Sequence, residues 1–264
     1  MDEIRGIYHT HSKYSKFNHG KNEIEEMVAE AERLGLDEYA ITDHGPMHLF
    51  GIRKKNIPIA RKRIDNCSKD KPIKVLMGLE FNLLGSNGET DYVAKYQDCY
   101  DIRLLGAHKA GIVNFKNLFT FLLPNLLCGN SKKTKLMNTM SYLKAVEERK
   151  IDIITHPNEF IKIDPYILAK GCAERNCYLE INEKHMSLSP EDIKEMLKTD
   201  VKFIINSDAH SVRRVRSVER AQEFVRENNI PVERIANWDK LPNFKDKYSK
   251  EKEKVEGLCH SQAM

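Results

Sequence analysis

Short apolar runs alternate with helix-patterned segments along most of the chain, and each run closes on a polar residue, most often His, Asp or Glu. The first is Ile4 to Tyr8, which ends in His9-Thr10-His11. Beyond it, Ile24, Met27, Val28, Ala31 and Leu34 fall on one helical face. Asn22, with Glu25 three residues on, reads as a capping box, and Gly35 as the glycine that ends the helix. Tyr39 to Thr42 is the next strand and ends in Asp43-His44-Gly45-Pro46. A strand, a helix and a second strand in that order predict parallel pairing, because the helix is the crossover.

The same rhythm continues. Ile57 to Cys67 is expected to be helical, and Ile73 to Leu84 contains a strand carrying Glu80. Ile102 to Ala107 ends at His108. Met137 to Lys150 is a helix, and Ile151 to Thr155 a strand ending at His156-Pro157. Asp164 to Asn176 is a helix, and Cys177 to Ile181 a strand ending at Asn182. Ser189 is an N-cap with Pro190 at the first helical position. Val201 to Asn206 is a strand ending at Ser207-Asp208-Ala209-His210, and Ser217 to Asn228 is the last helix. Seven strands with polar residues at their C-terminal ends predict an α/β, TIM-barrel-like fold, where the site lies at that end of the strands.

Length and composition agree. A chain of 264 residues can bury a full core without covalent staples. The 43 Lys+Arg against 39 Asp+Glu give +4, which does not single out nucleic acid as a partner. No C-x-x-C pair occurs among Cys67, Cys99, Cys128, Cys172, Cys177 and Cys259, so all six read as reduced, buried thiols of a cytoplasmic protein. Met1 to Arg5 lacks the order of a secretion signal, and no apolar run is long enough to span a membrane. We expect one domain over 1–237, with an insertion at about 111–136, and a charged tail over 238–264. The apolar centre of the insertion, Leu118 to Leu127, reads as a helical flap on the barrel rim or as a weak membrane-surface contact.

The His residues carry the chemistry. In a strand, residues i and i+2 face one side, so His9 and His11 can share a metal, and Asp208-x-His210 repeats the geometry at the last strand. His19 lies in the loop after the first strand, and His44, Glu80, His108 and His156 each sit at a different strand end. Mixed nitrogen and oxygen donors suit zinc, manganese or iron rather than a Cys-type structural site. Nine donors exceed what one ion needs, and a bridging Glu80 would let them serve several. His48 is expected only to line the rim, His185 to lie near substrate, and His260 to be an ordinary tail residue.

The motifs His9-Thr10-His11-Ser12, Ile41 to Pro46, Gly78-Leu79-Glu80, Ile154-Thr155-His156-Pro157 and Ser207 to His210 resemble those of the PHP (polymerase and histidinol phosphatase) superfamily. Within it the chain is similar to stand-alone bacterial phosphoesterases and histidinol-phosphatase-like members, over about residues 4–230. The resemblance implies a distorted seven-stranded (β/α)7 barrel with three divalent metal ions. One ion would take His9, His11, Glu80 and Asp208; a second would share Glu80 with His108 and His156; the third would take His19, His44 and His210. Two departures stand out. Ile7 occupies a position where family members often have Asp. Arg216 stands near a usual Gly, with Arg213 and Arg214 beside it. These arginines either clamp a phosphate or carboxylate or form a solvated basic turn.

The chemistry expected from such a cluster is hydrolysis of a small-molecule phosphate monoester by metal-bound hydroxide. Turnover should depend on Glu80, Asp208 and His210, with Asp43 or His185 as proton donor to the leaving group. Nucleic acid and membrane are not expected partners. Other readings are a nucleotide or nucleic-acid phosphodiesterase, amide hydrolysis, and a metal-binding regulatory module without turnover.

Overall fold

The structure, a computed structural model, describes residues 3–244. Seven strands form one parallel sheet in chain order: β1 (Gly6–Ile7), β2 (Glu38–Ile41), β3 (Lys74–Asn82), β4 (Ile102–Gly106), β5 (Ile153–Ile154), β6 (Tyr178–Asn182) and β7 (Phe203–Asn206). The register pairs Gly6 with Glu38, Glu38 with Lys74, Gly78 with Ile102, Leu104 with Ile153, Ile153 with Tyr178 and Leu179 with Phe203. β1 and β7 then meet through a bridge from Thr10 to Ala209, so the sheet closes into an α/β, TIM-barrel-like barrel. β1 and β5 are two residues each, shorter than their apolar runs suggest.

Helices α1 (Ile24–Arg33) and α2 (Ile57–Ser68) follow β1 and β2. α1 starts one residue later than expected. Its cap is Glu23, whose N–H donates to the Glu26 carboxylate at 2.8 Å, because the Asn22 side chain instead accepts from Val212 N. The helix ends as the sequence indicates. Gly35 takes φ +74°, while its N–H and that of Leu36 close on Glu32 and Ala31.

The insertion is helical: α3 (Phe115–Asn117), a π-turn over Leu118–Leu122 and α4 (Leu123–Cys128). Helix α5 (Lys132–Arg149) starts five residues before the expected Met137, capped by Ser131. The insertion is anchored to α5 by paired amides of Asn125 and Asn138 and by buried Phe121. The remaining helices are α6 (Pro165–Glu174), α7 (Pro190–Met196) and α8 (Glu219–Glu227). No described helix is long and apolar enough to cross a membrane.

Two layers lie inside the barrel. Leu76, Leu104, Ile153 and Ile204 pack with Tyr8 and Ala40 into an apolar floor. Phe244 seals it from below, its ring centroid 5.0 Å from Tyr8 and 5.9 Å from Tyr178. Residues two further along the same strands share that inward face and are polar or small: Thr42, Gly106, Thr155 and Asn206. The helices cover the outer face with a second, larger apolar cluster that includes Tyr39, Phe81, Leu105 and Phe203.

The expected tail boundary needs correction. Residues 238–244 belong to the fold, since Trp238 and Phe244 are buried and Asn237 bonds the carbonyls of Gly6 and Ile205. The charged stretch beyond, with Cys259 and His260, lies outside the described residues. The described cysteines are free, but only Cys172 and Cys177 are buried, and Cys128 is exposed because it ends α4 at the surface.

Candidate metal centre

Glu80 is fully buried at the C-terminal half of β3, and side chains from four other segments converge on its two oxygens. Oε1 lies 3.0 Å from His108 Nε2 and 2.8 Å from His156 Nε2, and accepts from Thr155 Oγ1 at 2.7 Å. Oε2 lies 2.7 Å from His44 Nδ1, 3.3 Å from His9 Nε2 and 3.7 Å from His11 Nε2. Asp208 Oδ1 stands 3.3 Å from His11 Nε2 and 3.9 Å from His9 Nε2. His19 and His210 face each other at 2.8 Å between Nε2 atoms, and the His210 ring lies 4.4 Å from that of His11.

The structure thus brings all nine expected donors to one end of the barrel. Eight of them, all but His19, fall with His48 into overlapping groups whose donor atoms lie within 4.8 Å: His9-His11-Glu80, His9-His156-Asp208, Glu80-His108-His156, His11-His44-His210 and His44-His48-His108.

The donor chemistry suits cations. Glu80 Oε2 and Asp208 Oδ1 are buried without a hydrogen-bond donor, as is His44 Nδ1, although it is only 2.7 Å from Glu80. Atoms that close, yet unaligned for a hydrogen bond, point at a common space rather than at each other. Burial opposes ionisation of Glu80, but the facing His108, His9 and His44 hold its carboxyl well below the usual range. Asp208 is likewise held low by His9 and His11 against burial. Burial and neighbouring imidazoles push His11 and His44 well down, and His19 down to about 4, which leaves them unprotonated near neutral pH. Unprotonated imidazoles and ionised carboxylates are the forms that ligate metal.

Further groups fix the donors. His9 Nδ1 donates to Glu180 at 2.8 Å, leaving Nε2 for the cluster. Burial alone would raise the Glu180 carboxyl, but His9 and His156 hold it low. It also accepts from His156 N, Asn182 Nδ2 and Asn206 Nδ2. His108 Nδ1 donates to Asn82, whose amide donates to Asp91. Asp43, raised to about 6 by burial, accepts from Ser12 N, Ser12 Oγ and Ser15 Oγ. Both its oxygens are therefore occupied in bracing the His9–His19 loop, which counts against Asp43 as proton donor. His156 and Asp208 hold positive φ, 28° and 49°, a strained backbone found where a side chain must be aimed.

The other expected residues divide. His185 Nε2 lies 3.6 Å from Asp208 Oδ2, so it stands at the mouth. Arg213 and Arg214 are exposed on a 3-10 turn. Arg216 is turned away from the cluster: it donates to Leu34 O and pairs with Glu3, ahead of β1 at the opposite end of the barrel. Its nearness to Asp208 in sequence does not carry into space. His48, expected only to line the rim, is buried against His44 and His108. The sequence reading passed over two others: Glu180 fixes His9, and Lys184 Nζ stands 3.8 Å from Asp208 Oδ2 and 3.4 Å from His210 Nδ1. Glu180 was legible, because it precedes Asn182 by two and must share its face.

Known proteins give the same picture. Residues 8–184 match the PHP domain family. A protein of Shewanella halifaxensis named "probable phosphatase" is 26% identical over 243 residues, covering 87% of this chain and 86% of that protein. Among solved structures, a histidinol phosphate phosphatase from Lactococcus lactis, complexed with zinc, L-histidinol and phosphate, has a TM-score of 0.51 at 18% identity. It covers 86% of this chain and 95% of its own. A protein from Listeria monocytogenes named for histidinol phosphatase has a TM-score of 0.56 at 17% identity, covering 80% and 97%. With the family match spanning more than half the chain and the His and Glu donors gathered at the strand ends, the chain belongs to the PHP domain family.

Proposed function

We propose that the chain is a metal-dependent phosphatase that hydrolyses a small-molecule phosphate monoester in the cytoplasm. The observation that carries this reading is Glu80, fully buried and approached by five imidazoles on its two oxygens. Three divalent ions, zinc, manganese or iron, would share these donors. His9, His11, Glu80 and Asp208 would hold one, Glu80, His108 and His156 a second, and His19, His44 and His210 a third. Such ions supply an acidified water near neutral pH and neutralise charge on a phosphoryl group.

The chain's own residues do the rest. Glu180 and Asn82 fix the tautomers of His9 and His108. The apolar floor excludes water from below, so a phosphate ester can enter only from the mouth. Lys184 and His185 stand there, both facing Asp208 Oδ2, where a cation and an imidazole can orient the phosphoryl oxygens and the departing alcohol. The reaction breaks a P–O bond and returns the alcohol and inorganic phosphate.

The test is phosphate release from small phosphate esters, histidinol phosphate and nucleotides included, by manganese- or zinc-loaded against chelated protein. Metal-dependent release supports the reading. Salt-sensitive preference for oligonucleotides would move it to a nuclease, release of amine to an amidohydrolase, and no turnover to a regulatory module.

A further inference from the structure

Seven of the thirteen exposed large apolar side chains among the described residues lie between 112 and 140, led by Phe115 and Leu127 at 79% exposure and Leu126 at 62%. They are not the loose edge of a poorly packed core, because the same segment is pinned from its other side. Asn117, Phe121 and Asn125 recur every four residues on one helical face. Asn117 and Phe121 are buried, and Asn125 is paired with Asn138 of α5. Phe115, Phe119 and Leu127 each stand two residues from one of these, so they lie on the opposite side and face outward. The rings of Phe115 and Phe119 meet edge to face, centroids 5.0 Å apart. Helix α5 adds exposed Leu136 and Met140, four residues apart.

The charge on this segment has one sign. From 102 to 146 the chain contains no Asp or Glu. Lys109, Lys116, Lys132 and Lys133 are exposed along it. Lys132, Lys133 and Lys135 fall within the first four residues of α5, whose first turn carries no acidic residue. Cations at the positive end of a helix dipole destabilise it. Helices α1 and α7 follow the usual rule, with Glu25 and Glu26 in the first turn of one and Glu191 and Asp192 in that of the other. Lys132, Leu136 and Met140 are spaced by four, so cation and apolar side chains share one face of α5. Such a face gains from contact with a surface that is both anionic and apolar. The insertion is also rooted at the mouth of the barrel: Leu49 N donates to Ala110 O at 3.0 Å and Ile112 N to Met47 O at 2.7 Å, which ties it to the loop carrying His48.

We propose that the insertion and the start of α5 form a docking surface for an anionic lipid membrane, on which the barrel lies without crossing it. Leu, Ile, Met and Phe side chains enter the headgroup–acyl boundary, and the lysines meet headgroup anions. A second copy of the chain fits less well, since a two-fold contact would set lysines against lysines with no carboxylate between them. Single-stranded nucleic acid stacks on aromatic rings, whereas five of the seven exposed side chains are aliphatic. The absence of a membrane partner expected from the sequence is revised for this face alone. The proposal does not depend on the phosphatase reading of the metal centre.

The experiment is co-sedimentation of the full chain with phosphatidylcholine vesicles, with or without about a third phosphatidylserine. Binding should require phosphatidylserine and weaken with added salt. Lys116→Gln, Lys132→Gln and Lys133→Gln should each lower the partition coefficient about fivefold. The double variant Phe115→Ser/Leu127→Ser should lower it about tenfold or more, with an unchanged denaturation midpoint because both side chains are exposed. In a Phe115→Trp variant, added phosphatidylserine vesicles should shift the emission to the blue as the indole leaves water. Equal binding to both vesicle types, or binding that survives the Phe115/Leu127 double variant, would overturn the proposal. Dimers in sedimentation velocity that the same variants dissolve, without vesicle binding, would overturn it in favour of a contact between copies. Tighter binding to a single-stranded oligonucleotide than to the vesicles would overturn it in favour of nucleic acid.

Discussion

The floor and the mouth of the barrel are built from the same strands, a few residues apart, and they obey opposite physics. On β3 the inward face carries Leu76 below and Glu80 above; on β7 it carries Ile204 below and Asn206 above, with Asp208 just beyond the strand. The floor is dry and apolar, and its cohesion comes from removing side chains from water. The mouth gathers carboxylates held ionised and imidazoles pulled in opposite directions, His11, His44 and His19 pushed down by burial, His9 and His156 drawn up against burial by the carboxylates that face them. Alone it would come apart, so its instability must be offset by the floor and by the helix-covered outer face of the sheet. The lesson is a division of labour within single strands: one half holds the barrel, the other half is held.

That contrast can be broken from either side. The largest effect should follow Glu80→Gln, which removes the charge on which the donors converge. We expect activity to fall by about 10³-fold, with loss of bound metal measured by elemental analysis and an unchanged circular dichroism spectrum. Retention of metal and activity would refute the role given to Glu80. A cut below it should do the converse. Ile204→Ala in the floor should cost about 2–4 kcal/mol in denaturant unfolding while metal stoichiometry stays intact. Loss of metal at temperatures where that variant remains folded would show that the two layers are not separable.

Glu180→Gln tests the boundary between them. Glu180 touches His9 but none of the shared space, so metal affinity should drop about 10- to 100-fold in competition with a chelator, with the barrel intact. The smallest effect is a pH dependence. His19 and His48 are held at about 4 and about 3 in the folded chain, below the ordinary 6.5. The unfolded chain therefore takes up these protons first, and their contribution to stability is present above pH 6.5 and lost as pH falls through 4 for His19 and toward 3 for His48. Unfolding of chelated protein across that window should show a shallower pH slope in His19→Asn, and an unchanged slope would contradict the burial of His19 as the cause.

The same contrast explains what could be read from the chain itself. The floor and the strand order follow from alternation and length, which are local and periodic. Eight of the nine donors were legible because they stand at the ends of apolar runs; His19 lies in the loop after β1, where no periodicity marks it. Other features depend on contacts that sequence spacing does not report. Two overlapping cap patterns occur in Asn22-Glu23-Ile24-Glu25-Glu26, and the choice is made by Val212, far away in the chain. Arg216 follows the last ligand motif by six residues yet reaches the other end of the barrel, because the chain has already turned toward α8. Lys184 and His48 sit in loops, whose directions no periodicity fixes.

The seam between the first and last strands has one further consequence. There the backbone contributes little: a bridge from Thr10 to Ala209 and a bond from His11 N to Ala209 O, helped by Asn206 reaching Tyr8 N. Yet His9 and His11 stand on one side of that seam and Asp208 and His210 on the other. An ion held between them would act as a clasp on the cylinder. Amide exchange in β1 and β7 should therefore slow on loading more than in β3 and β4, whose ladder is complete without it. On the reading proposed above, the reaction centre and the closure of the barrel are one place in this molecule, so removing the ions should open the wall as well as silence the chemistry.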